Sequence, residues 1–189
     1  YMYYSPIQTP PESMDACVAE LMKKLHTSTK RYSGVRDPGT GQVFSSWKDY
    51  LQQKSLKNLE TLKCVGDYSQ PYEKLISTLK DSPFSPVSCI HRDIRPDNIG
   101  ERNGNYILLD FEHAIIGDPY WDVARYVVQA AQSKESFYEM YGIDNVMKAD
   151  VHVWLFALDF AAYLVRHKRA GSEEFEKCVI EMEQKKPKG

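Results

Sequence analysis

Apolar residues in this chain recur with two different periods. From Met14, the residues Cys17, Val18, Leu21, Met22 and Leu25 follow at spacings that make one continuous helical stripe, so a helix is expected to start there and end at His26. Thr27 to Ser46 is rich in Ser, Thr and Gly, contains Asp37-Pro38-Gly39, and reads as loop and turn. Trp47, Tyr50, Leu51, Leu59 and Leu62 lie on one side of a more polar helix over 47–62. A third helix, about 72–79, carries Tyr72, Leu75, Ile76 and Leu79, and the Pro-rich stretch Ser82 to Pro86 stops it. The period then shortens. Val87 to Ile90 and Tyr106 to Phe111 read as short strands, with Asn103-Gly104 as a turn between them. Three helices complete the chain, over about 121–132, 145–168 and 173–184. The middle one, with Trp154, Leu155, Phe156, Leu158, Phe160, Ala161 and Leu164, is apolar around much of its circumference and is expected to be central. Tyr1 to Tyr4 could form a short aromatic strand running into a loop. The pattern as a whole predicts an α+β, mostly helical chain without repeats.

A length of 189 residues suits one domain with a sizeable core, and 42% hydrophobic with 26% charged residues are globular proportions. The 24 basic residues nearly balance the 26 acidic ones, giving a net charge of -2. Such a chain has no overall field for polyanions or anionic membrane, and the basic Lys185, Lys186 and Lys188 read as a solvated tail. Neither a nucleic-acid partner nor a membrane partner is expected. No run of apolar residues is long enough to span a bilayer, and no signal-peptide pattern opens the chain. Cys17, Cys64, Cys89 and Cys178 are spread without zinc-type spacing, which fits reduced thiols in a cytoplasmic protein.

The candidate chemistry is concentrated in His91-Arg92-Asp93-Ile94-Arg95-Pro96-Asp97-Asn98 and in Asp110-Phe111-Glu112. A lone Asp followed five residues later by Asn is usually a surface turn; His91, Asp93, Asn98 and Asp110 together between two apolar strands favour function. Phosphoryl transfer needs a divalent cation to neutralise phosphate oxygens and a carboxylate to hold the incoming hydroxyl. Asn98 and Asp110 offer the hard oxygen ligands that Mg2+ prefers, and adjacent hairpin arms would let them converge on one metal cluster. Asp93 would face the acceptor hydroxyl, orient it and accept its proton.

This pattern resembles the catalytic and metal-binding loops shared by protein kinases and the aminoglycoside phosphotransferase and choline kinase family. His91-Arg92-Asp93 and Pro96-Asp97-Asn98 look like protein kinases. Asp110-Phe111-Glu112, followed closely by Gly117-Asp118-Pro119-Tyr120-Trp121-Asp122-Val123-Ala124, is similar to the small-molecule branch and leaves no room for an activation segment. The helix ending Leu25-His26 fits the same family, with 1–7 as its hinge strand. The resemblance implies a protein kinase-like C-terminal lobe with a short catalytic-loop hairpin, divided into a hinge and linker (1–12), a helical part (13–86), the catalytic and metal-binding loops (87–124) and C-terminal helices (125–189). No Gly-rich loop or Lys-bearing strand precedes residue 91, so the N-terminal β lobe is expected to be absent from this chain, either as a missing part of the same protein or because the protein is naturally minimal or is a relative that lost catalysis.

The resemblance further implies ATP and Mg2+ as cofactors and a small acceptor with a hydroxyl group as partner. Asp97, Glu112 and Asp118 would be compatible with a cationic acceptor, Glu112 either binding it or being merely solvated. Arg95 would contact the γ-phosphate, His91 would fix the loop, and Asp122 would cap amide groups near a helix start and brace the catalytic loop from below. Trp121 and Tyr120 read as packing residues, and His113, His152 and His167 as ordinary. Two rival readings stand beside this one: a protein kinase-like enzyme, and a non-catalytic binding module derived from a kinase.

Overall fold

The computed structural model describes residues 13–28, 35–37, 39–78 and 88–184. The expected hinge strand at 1–7, the helix stop at 82–86 and the basic tail at 185–188 lie outside these residues. Helix α1 (Met14–Ser28) starts where the Ser13 hydroxyl accepts from the Ala16 N–H, and buries Val18, Ala19, Leu21 and Met22. The stretch expected to be only loop contains a small antiparallel hairpin, β1 (Val35–Arg36) and β2 (Val43–Phe44). Its turn is organised by the Asp37 carboxylate, which accepts from the amides of Gly39 and Thr40. Two-residue strands carry no readable alternation, so the sequence pattern could not reveal them.

Helix α2 (Trp47–Leu62) has the bounds expected, with Ser46 as N-cap accepting from the Asp49 N–H. Helix α3 (Ser69–Thr78) begins earlier than its apolar stripe, because Asp67 accepts from the Ser69 amide. Strand β3 (Ser88–Ile90) follows, then β4 (Ile99–Arg102), β5 (Asn105–Leu108) and β6 (Ile115–Gly117). This pairing corrects the two-strand expectation. β4 and β5 form a tight hairpin around Asn103-Gly104, whereas β3 pairs with β6, placing Ile90 opposite Ile115 and Ser88 opposite Gly117. Gly117 is required by that close approach: a Cβ there would lie 2.6 Å from Ile90 Cδ1 and 2.7 Å from Trp47 Cζ3.

Helix α4 (Tyr120–Gln129) packs against α6 (Val146–Arg166), which also contacts α2 and α7 (Glu173–Gln184). As its composition predicts, α6 is central, burying Trp154, Leu155, Ala157, Leu158, Ala161 and Leu164 at 1% exposure or less. Between α4 and α6 lies α5 (Lys134–Tyr141), capped by Ser133 and ended by Gly142 at φ 77°. Among the described residues no helix is long and apolar enough to cross a membrane.

Candidate active site

The loop from His91 to Asn98 is held from below by one carboxylate. Asp122, fully buried on the first turn of α4, accepts from the N–H of His91 at 2.7 Å and of Arg92 at 2.8 Å. Two consecutive amides converge on its two oxygens because Arg92 adopts φ 66°, a left-handed conformation that is uncommon for a non-glycine residue and costs roughly 1–3 kcal/mol. Asp122 also takes a hydrogen bond from His26 Nε2 at 3.1 Å, while His26 Nδ1 accepts from the Tyr141 hydroxyl at 2.8 Å. The carboxylate therefore ties α1, α4, α5 and the loop together. Its partners are loop amides and His26, not the N–H groups of its own helix, whose N-terminus at Pro119 has no side-chain cap; the Tyr120 N–H donates to Asp118 at 3.0 Å.

His91 connects the loop to the segment after β5. Its Nε2 donates to the Leu109 carbonyl at 2.7 Å and its Nδ1 accepts from the Asp93 N–H at 3.2 Å, which fixes the neutral tautomer carrying its proton on Nε2. The ring also lies against Phe111, centroid to centroid 4.6 Å. Ile94, fully buried, anchors the loop's far side.

Within this frame Asp93 is 8% exposed and held on both oxygens. Oδ1 pairs with Arg125 Nη2, and Oδ2 accepts from Asn98 Nδ2 at 2.8 Å, with Arg95 Nη2 at 3.6 Å. Asn98 Nδ2 donates to the Asp93 carbonyl as well, so its own carbonyl oxygen is left unengaged by Asp93. Asn98 immediately precedes β4 and Asp110 follows β5 by two residues; the Leu109 N–H donates to the Asn98 carbonyl at 2.9 Å, which brings the two candidate ligands to neighbouring ends of one hairpin. Asp110 is exposed at φ 61°, a left-handed conformation that Asp tolerates better than most residues.

This donor set fits Mg2+. One amide oxygen and one carboxylate are hard ligands, and a two-residue set leaves the remaining octahedral positions to phosphate oxygens and water. Among the described residues no cluster of three or more His, Cys, Asp or Glu is arranged to hold a metal by itself.

Other expected residues are placed differently. Glu112 is exposed and lies 3.4 Å from His113 Nε2. Asp118 is fully buried and paired with Lys148 Nζ at 2.7 Å, so it is not available to a ligand. Trp121 and Tyr120 are buried in packing. Arg125 is the residue that sequence reasoning missed. It lies four residues after Trp121 and three before Val128, on the buried stripe of α4, and a charge in that stripe was the available signal. Burial pulls the Arg125 guanidinium down from its ordinary value, while Asp93 and Asp122 act in the opposite direction.

Asp93 also opens onto a cleft of about 690 Å3, lined by Arg92, Arg95 and Arg125 on one side and by Phe156, Asp159, Phe160 and Tyr163 of α6 on the other. Asn98 and Asp110 are not among its described lining residues, so Asp93 stands between the candidate ligand pair and the cleft.

Among solved structures, the chain is similar to choline kinase LicA from Streptococcus pneumoniae, with a TM-score of 0.61 and 18% identity over 90% of this chain and 63% of that one. It is also similar to a thermostable mutant of aminoglycoside phosphotransferase APH(4)-Ia in ternary complex with AMP-PNP and hygromycin B, with a TM-score of 0.68 and 15% identity over 99% of this chain and 70% of that one. The chain thus spans less than two thirds of the choline kinase's length. At these identities the likeness establishes the protein kinase-like fold. No curated protein matches the chain by sequence. Residues 10–174 match the APH family, described as the phosphotransferase enzyme family, and a match over that much of the sequence shows that the chain belongs to it.

Proposed function

We propose that this chain is the acceptor-handling lobe of an ATP- and Mg2+-dependent phosphotransferase acting on the hydroxyl of a small molecule. The observation that carries the reading is Asp93, held on both oxygens at the junction between the Asn98 and Asp110 ligand pair and an open cleft. An acceptor in the cleft would bring its hydroxyl to Asp93. As the hydroxyl oxygen attacks the γ-phosphorus of ATP, a new P–O bond forms, the bond from that phosphorus to the bridging oxygen breaks, and ADP leaves. The hydroxyl proton passes to the Asp93 carboxylate and from there to water.

Each remaining residue has a part that follows from its position. Arg125 fixes the Asp93 rotamer from the cleft side and Asn98 fixes it from the other, so the carboxylate is oriented before substrate arrives. Asn98 and Asp110 would hold Mg2+, which when bound neutralises phosphate oxygens. Arg95, with its side chain half exposed beside Asp93, reaches toward the transferred group. His91 and Asp122 keep the loop in shape. A protein-kinase reading gains no support, because a single helical turn (Phe111–His113) and β6 lead directly from Asp110 into α4, without a segment to seat a protein substrate.

The test is Asp93→Asn in an assay of ATP-dependent ADP release against a panel of hydroxyl compounds. The variant keeps the shape and the hydrogen-bonding carbonyl but accepts no proton. Its kcat should fall roughly 10²- to 10⁴-fold with little change in the KM for nucleotide. Turnover within tenfold of the unaltered protein would remove Asp93 from the chemistry.

A further inference from the structure

Among the described residues, the cleft beside Asp93 is lined by seven Lys or Arg side chains against three carboxylates. Each carboxylate already has a cationic partner. Asp93 pairs with Arg125, Asp159 with Lys54 at 2.9 Å, and Glu174 with Arg169 at 2.8 Å. Lys177 is matched by Glu173, 2.9 Å away at the rim. The surplus is three guanidinium groups, Arg92, Arg95 and Arg166. Arg95 lies 3.6 Å from Asp93, whose charge Arg125 already balances. Arg166 donates to neutral oxygens, Asn58 Oδ1 at 3.1 Å and Thr61 Oγ1 at 3.5 Å. The Arg92 side chain forms no ion pair within 4.0 Å of a described carboxylate, although its charge helps hold the Asp37 and Asp159 carboxyls below their ordinary range, and its left-handed backbone is fixed by Asp122.

Among the described lining residues an ammonium would find no unmatched carboxylate and several cations. The acidic residues that made a cationic acceptor plausible do not change this: Asp118 is buried against Lys148, and Asp97 and Glu112 are not among the described lining residues. Guanidinium is suited to a different ligand. Its planar fork matches phosphate and carboxylate oxygens in two-point contacts, and it sheds water more easily than an ammonium. Phe160 and Tyr163 line the same cleft with their rings stacked, 6.0 Å between centroids and 13° between planes, which offers an apolar wall to the body of a small molecule.

We propose that the acceptor is an anionic hydroxyl compound, whose phosphate or carboxylate group is held by Arg92 and Arg166 while its hydroxyl meets Asp93. This rests on the phosphotransferase reading, which supplies the role of Asp93. Specificity comes from charge: the cleft rewards an oxyanion and repels a cation.

The test uses inorganic phosphate as the probe, with AMP-PNP and Mg2+ present so that phosphate sites belonging to the nucleotide are filled. Binding is followed through the side-chain Nε–H signals of Arg92, Arg95 and Arg166 by NMR. Phosphate should move the Arg92 and Arg166 signals, and Arg92→Gln and Arg166→Gln should each raise its Kd about tenfold, or about 1.4 kcal/mol. The circular dichroism of both variants should match that of the unaltered chain; because the two substitutions sit on different elements, loss of fold in one leaves the other as the test. Choline and hygromycin B should leave the arginine signals in place. The proposal is overturned if phosphate does not bind, if nucleotide abolishes its binding, or if either cation moves those signals. Turnover then separates the two oxyanion sources: glycerol 3-phosphate compared with glycerol, and gluconate compared with glucose. Phosphate binding without phosphorylation of any acceptor would sink the phosphotransferase reading and leave the oxyanion site standing. Phosphorylation of a cationic amino alcohol in preference to the anionic compounds would do the reverse.

Discussion

Asp122 concentrates more of the site's architecture in one side chain than any other residue. Its carboxylate is fully buried and takes three hydrogen bonds, from His91 N–H, Arg92 N–H and His26 Nε2. A hydrogen bond to a charged group contributes about 1.5–3 kcal/mol, so a simple sum for three would reach about 4.5–9 kcal/mol. That sum is too high, because the carboxylate loses its own hydration on burial and the three bonds share one group; removing one partner from a buried charged network costs about 3–5 kcal/mol. Asp122→Ala should therefore lose about 3–5 kcal/mol, a large part of the 5–15 kcal/mol typical of a domain. Asp122→Asn is the sharper perturbation. It preserves volume, but whichever way the amide turns, its NH2 faces one of the two loop amides, which then has no acceptor. One unsatisfied buried donor costs about 1–3 kcal/mol, so the Asn variant should fall between the Ala variant and the unaltered protein.

The assay is equilibrium unfolding in urea followed by the fluorescence of Trp47, Trp121 and Trp154, all buried and all expected to report the loss of packing. Glu139→Gln, an exposed change on α5, serves as the control and should stay within about 0.5 kcal/mol of the unaltered protein. Hydrogen exchange at the His91 and Arg92 amides should accelerate in Asp122→Asn beyond what its global stability explains, because the loop loses its anchor locally. An Asp122→Asn protein as stable as the control, with both amides still protected, would refute the claim that this carboxylate holds the loop.

Gly117→Ala should lower Tm by several degrees, because the new Cβ meets Ile90 and Trp47 inside van der Waals distance and overpacking of this kind costs about 1–3 kcal/mol; a Tm within a degree of the original would mean that β6 shifts freely. The acid limb of stability should depend on Asp159. Burial favours its neutral form, but the Lys54 ammonium and the Asn58 amide, both at 2.9 Å, outweigh that and hold the carboxyl below its ordinary range. A depressed folded-state value stabilises above the unfolded value of about 3.9, and the contribution disappears as pH falls through the folded one. The gap in urea midpoint between the unaltered protein and Asp159→Asn should thus be full at neutral pH and close below about pH 4. An equal gap at both ends of the pH range would contradict that assignment.

How far the sequence reveals this molecule depends on whether a feature is encoded locally or by contact at a distance. Helices α2 and α7 have the bounds expected from their 3.6-residue periods, since a helix's buried face is written in its own residues. Helix α5 escaped because it is only 8 residues long, so the helical spacing of Phe137, Met140 and Tyr141 has no second turn in which to repeat. β4 reads Ile-Gly-Glu-Arg, without alternation, and β6 acquires its partner only when the chain returns to β3. The same division governs the site. Asp93, Asn98 and Asp110 stand at motif spacing and could be named from it, whereas the pairing of Asp93 with Arg125 joins residues on separate elements, and its only trace is a charge within an apolar stripe. The acceptor's charge belongs entirely to the second kind. Net charge describes the whole surface, and nearby acidic residues describe the chain's order; neither describes the cleft, where Asp118 is withdrawn behind Lys148 and arginines from the loop and from α6 meet. A motif can therefore point to a reaction without specifying the charge of its substrate, because the candidate catalytic residues are local in sequence and the binding wall is assembled by packing.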